Sequence, residues 1–145
     1  MSFQFRFEKI LNMKEKEKES ALNEMNMVRK KKEIAEGELL ELVERKESYL
    51  QDFEQKASLR VTEMLEREQY LYFLDKQIER VKRKVADLTR DFNLKNQLLL
   101  SKNQEEKVWS TWREKSFDEY SEKIKRDEQN MLDEMAVIRY FHNRV

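Results

Sequence analysis

The stretch that decides the fold is LYFLDKQIERVKRKVADLTRDF, residues 71–92. Its apolar residues recur in alternating steps of three and four, and most residues between them are charged or polar. Steps of this kind place side chains on one narrow stripe of a helix, which a coiled coil buries against a partner. We call this stripe the helix 2 seam, and it consists of Leu71, Leu74, Ile78, Val81, Val85, Leu88 and Phe92.

A second ladder with the same spacing precedes the seam. Ten of its fourteen positions are apolar, and the other four are lysines, whose stems can lie along a seam while the ammonium reaches water. Gly37 lies inside it at a cost of about 1 kcal/mol relative to Ala, and we expect the helix to tolerate it. The helix 1 ladder consists of Phe7, Leu11, Lys14, Lys18, Ala21, Met25, Val28, Lys32, Ala35, Leu39, Leu42, Lys46, Tyr49 and Phe53.

The two ladders predict an all-α fold, an antiparallel two-helix coiled-coil hairpin with a longer C-terminal helix. The pattern breaks between Gln55 and Thr62, where Ser58 and Thr62 are candidate N-caps. We expect a single domain over 1–145, with helix 1 at about 4–57, the turn at about 57–61 and helix 2 at about 61–141. Folding near residue 58 pairs positions whose numbers add up to about 117, which sets Leu42 beside Leu74 and Asp75. The alternative is one continuous rod that dimerises in parallel, since neither Gly nor Pro marks a turn there.

Composition supports long helices and excludes several classes of function. Charged residues make up 41% of the chain, with one Gly and neither Pro nor Cys, which is typical of coiled coils. The formal net charge is zero, which argues against bulk attraction to nucleic acid or to anionic membranes. The basic clusters 29–32 and 80–84 are therefore interpreted as solvated helix flanks. The longest apolar run is 70–74, whereas a membrane span needs about 20 residues, so we expect a soluble cytoplasmic protein.

Nothing in the sequence indicates catalysis. One glycine cannot build a phosphate-binding loop, and the single histidine, His142, lies close to the C-terminus. The many carboxylates are typical of a polar helix face, and without Cys a specific metal site has little support. We therefore predict no catalytic, cofactor-binding or metal-binding residue, and a protein that is not an enzyme.

The folded hairpin predicts two features at its open end. The aromatic residues Phe3, Phe5, Phe7, Trp109 and Trp112 should meet there as a small hydrophobic plug. Beyond them, about 28 residues of helix 2 should have no intramolecular partner, and their apolar positions predict a docking surface or, alternatively, self-association. This C-terminal stripe consists of Phe117, Tyr120, Ile124, Met131, Met135 and Ile138, with Leu132 beside it.

Four segments resemble the FliJ family of flagellar type III export proteins, in order and over nearly the whole chain. The first is Phe-x-Phe-x-Phe-Glu-Lys-Ile-Leu-x-Met-Lys-Glu at 3–15, and the second is Glu-Gln-Tyr-Leu-Tyr-Phe-Leu at 68–74. The others are Trp-Arg-Glu-Lys at 112–115 and Leu-Asp-Glu-Met-Ala at 132–136.

The resemblance implies a stalk-like protein whose partners carry out the chemistry. It implies that the open end enters the ring of the flagellar export ATPase, and that the chain also contacts the cytoplasmic domain of the export-gate protein FlhA. It further implies that the protein escorts export chaperones and does not bind nucleic acid. The protein would not insert into the membrane directly, and its partners would hold it at the inner face of the cell membrane. A structural rod or tether that homodimerises is the alternative function.

By the same resemblance, the gate-contact surface maps onto eight residues, which we call the gate set. Three of them, Leu42, Tyr49 and Leu74, match the family pattern in kind, and Tyr70 keeps an aromatic ring. The other four depart from it, and Leu42, Leu74 and Val81 also belong to the predicted ladders. The gate set is Glu38, Leu42, Arg45, Tyr49, Tyr70, Leu74, Gln77 and Val81.

Overall fold

A computed structural model describes residues 2–55 and 60–144 and contains two long helices. Helix α1 is Glu8–Glu54 and helix α2 is Val61–Asn143, and no strand occurs in the described ranges. The helices pack antiparallel, since Lys46 near the end of α1 pairs with Asp75 near the start of α2, and Glu24 pairs with Lys95. The all-α hairpin is therefore confirmed, and the continuous rod is excluded.

The start of α2 differs from the predicted caps. Thr62 lies inside the helix, and Ser58 lies outside the described residues, as does most of the predicted turn. Arg60 instead precedes the helix, and its backbone N–H donates to the Glu63 carboxylate at 3.3 Å. A glutamate at this position satisfies a backbone donor that the first helical turn leaves free.

The chain groups into two compact units, and both helices contribute to each of them. One unit is Ser20–Leu100, and the other combines Met1–Glu19 with Ser101–Val145. The single domain over 1–145 stays a prediction.

In the unit Ser20–Leu100, the two ladders form the core. Leu74, Ile78 and Val81 of the helix 2 seam are buried, and its other members are half-buried. The helix 1 ladder contributes four buried residues and is nowhere fully exposed; the buried four are Ala21, Met25, Val28 and Ala35. Since a single stripe on each helix is shielded, the packing is that of a two-stranded coiled coil.

The register of this packing differs from the predicted one. The paired residue numbers add up to 119 for Glu24 with Lys95 and to 121 for Lys46 with Asp75, rather than to about 117. Asp75, which we predicted beside Leu42, thus pairs one helical turn closer to the chain reversal. In an antiparallel hairpin, the sum of two paired residue numbers is twice the residue number at which the chain reverses. A reversal centred one or two residues later than predicted therefore explains the larger sums.

In the other unit, α1 begins at Glu8, four residues later than predicted. The preceding segment is not helical, and the ring of Phe3 lies 5.3 Å from that of Phe117, while Phe7 lies 5.0 Å from Trp112. From Phe3 to Phe7 an extended chain covers about 13 Å, whereas a helix covers about 6 Å. The two aromatic sites on α2 are about two helical turns apart, and both are reached by a non-helical segment that turns at residues 6–7, where the Glu8 N–H donates to the Phe5 carbonyl at 3.2 Å.

Ion pairs dominate the rest of this unit. Lys14 pairs with Glu105 at 3.2 Å, Lys18 pairs with Glu106 at 3.6 Å, and Arg113 pairs with Glu8 at 2.9 Å. Two lysines of the helix 1 ladder thus meet carboxylates at positions where apolar side chains would otherwise pack.

Candidate functional site

An aromatic cluster forms where the N-terminal segment meets α2. The rings of Phe7, Trp109 and Trp112 form a triangle, since Phe7 lies 5.6 Å from Trp109 and 5.0 Å from Trp112, and the two indoles stack 5.5 Å apart. Phe5 lies 5.9 Å from Phe7 and is buried. Edge-to-face and offset contacts of this kind contribute about 0.5–1.5 kcal/mol each beyond the area they bury. The predicted hydrophobic plug is confirmed, and it ties residues 3–7 to α2.

The plug extends further along α2 than predicted. Phe3 contacts both Phe117 and Tyr120, with ring centroids 5.3 and 5.4 Å apart, and Ile124 is half-buried. The expectation that α2 has no intramolecular partner from Phe117 onward is therefore wrong for its first part. The N-terminal segment that reaches these rings is not helical.

From residue 125 to residue 144 every side chain is exposed. The second half of the C-terminal stripe lies here, with Met131 62%, Met135 54% and Ile138 66% exposed. Steps of four and three keep these residues on one face of the helix. Further exposed apolar residues surround them, namely Leu132, Val137, Tyr140 and Phe141.

The gate set divides into buried and accessible residues. Leu74 is completely buried and Val81 is 5% exposed, because both pack in the seam against α1. The accessible members are Glu38 and Arg45, which are exposed, and four half-buried residues, Leu42, Tyr49, Tyr70 and Gln77. A partner that binds this unit as folded can contact only the accessible members.

Tyr49 is the centre of the accessible part. Its ring lies 4.5 Å from that of Tyr70 and 4.8 Å from that of Phe53, so the three rings close the seam near the end of α1. Partial burial raises the pKa of the Tyr49 phenol, with a further contribution from Tyr70. The hydroxyl therefore stays neutral and can act as a hydrogen-bond donor or acceptor.

Near the start of α2 there is an apolar surface that sequence reasoning missed. Val61, Leu65 and Tyr72 are exposed and follow one another in steps of four and seven, which places them on one helix face. That face is opposite Leu74, since two positions along a helix correspond to a rotation of about 200°. Exposed Met64 and Phe73 flank it. The available signal was the apolar run 70–74. The seam uses only Leu71 and Leu74 of this run, so its other apolar residues had to lie outside the seam.

Residues that bind metals do not cluster in the described ranges. No group of three His, Cys, Asp or Glu side chains there has a geometry that could hold a metal ion. Within the same ranges, no helix has the length and apolar character that crossing a membrane requires.

The chain is similar to known proteins over nearly its whole length. The family model described as "Flagellar FliJ protein" matches residues 3–145. The chain belongs to the FliJ family. A relative named "Flagellar FliJ protein" from Bacillus subtilis (strain 168) is 31% identical over 139 residues, which cover 94% of this chain and 95% of the relative. No solved structure gives a significant match.

Membership in the FliJ family makes the protein a component of flagellar export. For a FliJ-family chain, the two accessible surfaces described above are candidates for contact with other export components. They are the C-terminal stripe beyond residue 124 and the accessible members of the gate set.

Proposed function

We propose that this FliJ-family protein is a stalk-like adaptor whose C-terminal end docks in the ring of the flagellar export ATPase. In this proposal the partner supplies ATP hydrolysis, and the hairpin contributes shape and contacts. The observation that carries it is the exposed segment 125–144, where Met131, Met135 and Ile138 form one uncovered apolar face of the helix. Soluble proteins seldom leave such a surface uncovered, and exposed apolar patches usually mark binding sites.

The arrangement of the side chains favours docking of this segment as a helix. Met131, Met135 and Ile138 continue, on the same helix face, the positions that Phe3 covers farther back along α2. An apolar stripe on a helix is the usual form of a helix-in-groove contact. Methionine side chains adapt to irregular apolar surfaces, which suits a partner made of several subunits.

The test is a pull-down with the purified export ATPase of the same organism. The full chain is compared with a chain that ends after Ile124, which keeps the contacts of Phe3, and with Met135→Glu. Val137→Glu is the matched control, because Val137 is 53% exposed, as against 54% for Met135, and lies on the other side of the helix.

We expect the full chain and Val137→Glu to bind, and the truncated chain and Met135→Glu to lose binding. Absence of binding by the full chain would refute the docking proposal. Equal binding by all four chains would show that another surface makes the contact.

We also propose that the accessible members of the gate set contact the cytoplasmic domain of FlhA. The support is physical, since Tyr49 and Tyr70 form a half-buried aromatic pair, and exposed Arg45 lies one helical turn before Tyr49. Aromatic residues and arginine are enriched at interface hot spots. Leu74 and Val81 would then act only by holding the helices together.

Binding to the FlhA domain can be measured by calorimetry with Arg45→Ala and, as control, Tyr72→Ala. Both residues are exposed, and Tyr72 lies outside the gate set. We expect Arg45→Ala to weaken binding about tenfold and Tyr72→Ala to leave it unchanged. If Tyr72→Ala weakens binding and Arg45→Ala does not, the contact lies instead on the apolar surface of Val61, Leu65 and Tyr72.

Chaperone escort and a location at the inner face of the membrane through partners belong to the same proposal. The alternative, a homodimerising tether, is less favoured because the seam of each helix already packs against the other helix of the same chain. Sedimentation velocity separates the two functions, since the adaptor is a monomer when free and the tether is a stable dimer.

A further inference from the structure

The two basic clusters of the sequence lie far apart along the chain, yet the unit Ser20–Leu100 brings them together. They line one groove between α1 and α2, which we call the basic groove. Lys31 and Ile34 line it from α1, and the remaining residues line it from α2: Arg80, Arg83, Lys84, Asp87 and Leu88. Four of the seven lining residues are cations and one is an anion, so the groove is positive although the chain is neutral.

Acidic neighbours do not fully balance these cations. Lys84 lies 3.8 Å from Glu38 and Arg83 lies 3.9 Å from Glu79, and these exposed pairs are weak. Asp87, the one anion of the groove, pairs with Arg90, which does not line the groove. The side chains of Lys31 and Arg80 make neither an ion pair nor a hydrogen bond among residues 2–55 and 60–144.

The floor of the groove is aliphatic. Ile34 is 63% exposed, and Leu88 is half-buried at the edge of the seam. On α2 the lining extends from Arg80 to Leu88, which is about 12 Å or two helical turns. A third helix fits such a groove when it presents apolar residues three or four positions apart and carboxylates on its flanks.

We propose that the basic groove binds an acidic amphipathic helix of a partner protein. Apolar residues of that helix cover Ile34 and Leu88, and its carboxylates pair with Lys31 and Arg80. Nucleic acid offers phosphates but would leave the aliphatic floor uncovered. This proposal is independent of ATPase docking, because all of its residues lie outside the segment 125–144.

The test uses a synthetic fluorescent peptide of about four helical turns, with leucines three and four residues apart and glutamates on the flanks. A permuted peptide of the same composition removes the apolar face. A DNA duplex and vesicles that contain phosphatidylserine are the other two probes. Binding to the full-length protein is measured by fluorescence anisotropy for the peptides and the duplex, and by co-sedimentation for the vesicles.

The variants separate groove binding from general charge attraction. Lys31→Glu with Arg80→Glu reverses the two unpaired cations, and Ile34→Ser removes the floor. Lys125→Glu with Arg126→Glu is the matched control, because it makes the same change in net charge at exposed positions elsewhere. Circular dichroism checks that each variant retains its helix content.

We expect the amphipathic peptide to bind more tightly than the permuted one. The groove double variant should weaken binding at least about tenfold and Ile34→Ser about fivefold, whereas the control should change it less than about twofold. Equal binding of both peptides, no effect of Ile34→Ser, or no effect of the groove double variant would overturn the proposal. Tighter binding of the duplex or the vesicles than of the peptide, lost in the groove variants, would also overturn it.

Discussion

The ammonium of Lys14 donates a hydrogen bond to the Glu105 carboxylate at 3.2 Å, although 91 residues separate them in the chain. Lys14 occupies a ladder position of α1, so this pair takes the place of an apolar contact between the helices. The hydrogen bond lowers the pKa of Glu105 below its ordinary value of 4.5 and raises the pKa of Lys14 above 10.5.

The pair predicts a pH dependence that Glu105→Gln should remove. A lowered carboxyl pKa stabilises the fold above pH about 4.5, and this contribution disappears as the pH falls through the folded-state pKa. A raised lysine pKa stabilises the fold below pH about 10.5, and its contribution is lost as the pH rises through the folded-state pKa. The difference in Tm between wild type and Glu105→Gln should therefore be constant from about pH 6 to 9 and shrink in acid.

Thermal unfolding followed by circular dichroism measures this difference at low salt, where exposed ion pairs are least screened. Glu114→Gln is the control, because Glu114 is exposed and makes no ion pair among the described residues. If the two variants show the same pH dependence, the pair does not contribute to stability.

Leu74→Ala should be among the most destabilising single changes in the unit Ser20–Leu100. Leu74 is fully buried against α1, and its truncation leaves a cavity that costs about 2–4 kcal/mol. The neighbouring Phe73 is exposed, so Phe73→Ala should change the free energy of unfolding by less than about 0.5 kcal/mol. Urea unfolding of both variants checks the contrast, and similar losses would contradict the packing described.

Gly37→Ala should stabilise α1. The glycine lies inside the helix with no positive φ, and an added Cβ meets no atom within 4 Å. Ala in place of Gly then raises the free energy of unfolding by about 0.5–1 kcal/mol, because the unfolded chain loses freedom and the helix loses nothing. The reverse change at an exposed position of α2, Ala86→Gly, should lower it by a similar amount, and urea unfolding measures both.

Phe7→Ala should loosen the aromatic plug. Its ring lies 5.6 Å from half-buried Trp109 and 5.0 Å from Trp112, which is already 46% exposed, so its removal increases the exposure of both indoles to water. The tryptophan emission maximum should move to longer wavelength, and the fluorescence should be quenched more readily by iodide. Phe141→Ala, at an exposed position far along α2, should leave both signals unchanged. Unchanged emission in Phe7→Ala would mean that the plug does not shield the indoles.

Much of the fold was readable in the sequence because a seam is a one-dimensional pattern. Leu74, Ile78 and Val81 are buried where the spacing of three and four requires it. The lysine positions were also predictable, since a long stem can lie on a seam while its ammonium finds a carboxylate, as Lys46 does at Asp75. The register between the two helices was not predictable to the residue, because it depends on the position at which the chain reverses.

The candidate sites were only partly predictable. The exposed Met131, Met135 and Ile138 follow from the greater length of α2, which extends beyond any partner residue in α1. The non-helical segment before Glu8 did not follow, because the rings that it contacts belong to α2 and lie far away in the chain. The burial of Leu74 and Val81, which removes them from any contact surface, did follow from their place in the helix 2 seam.

By itself, the sequence determined that two helical segments carry matching apolar ladders, and that no residue pattern for catalysis is present. That the two helices of one chain pack on each other, and not on a second chain, was decided by the structure. Only the tertiary structure decided which side chains remain available to partners. The basic groove shows the reason, since Lys31 and Arg80 lie on different helices and a seam pattern carries no information about the flanks. Spacing along one helix fixes the face that is buried, but the cross-helix register and the exposure of each flank fix the surface that a partner meets.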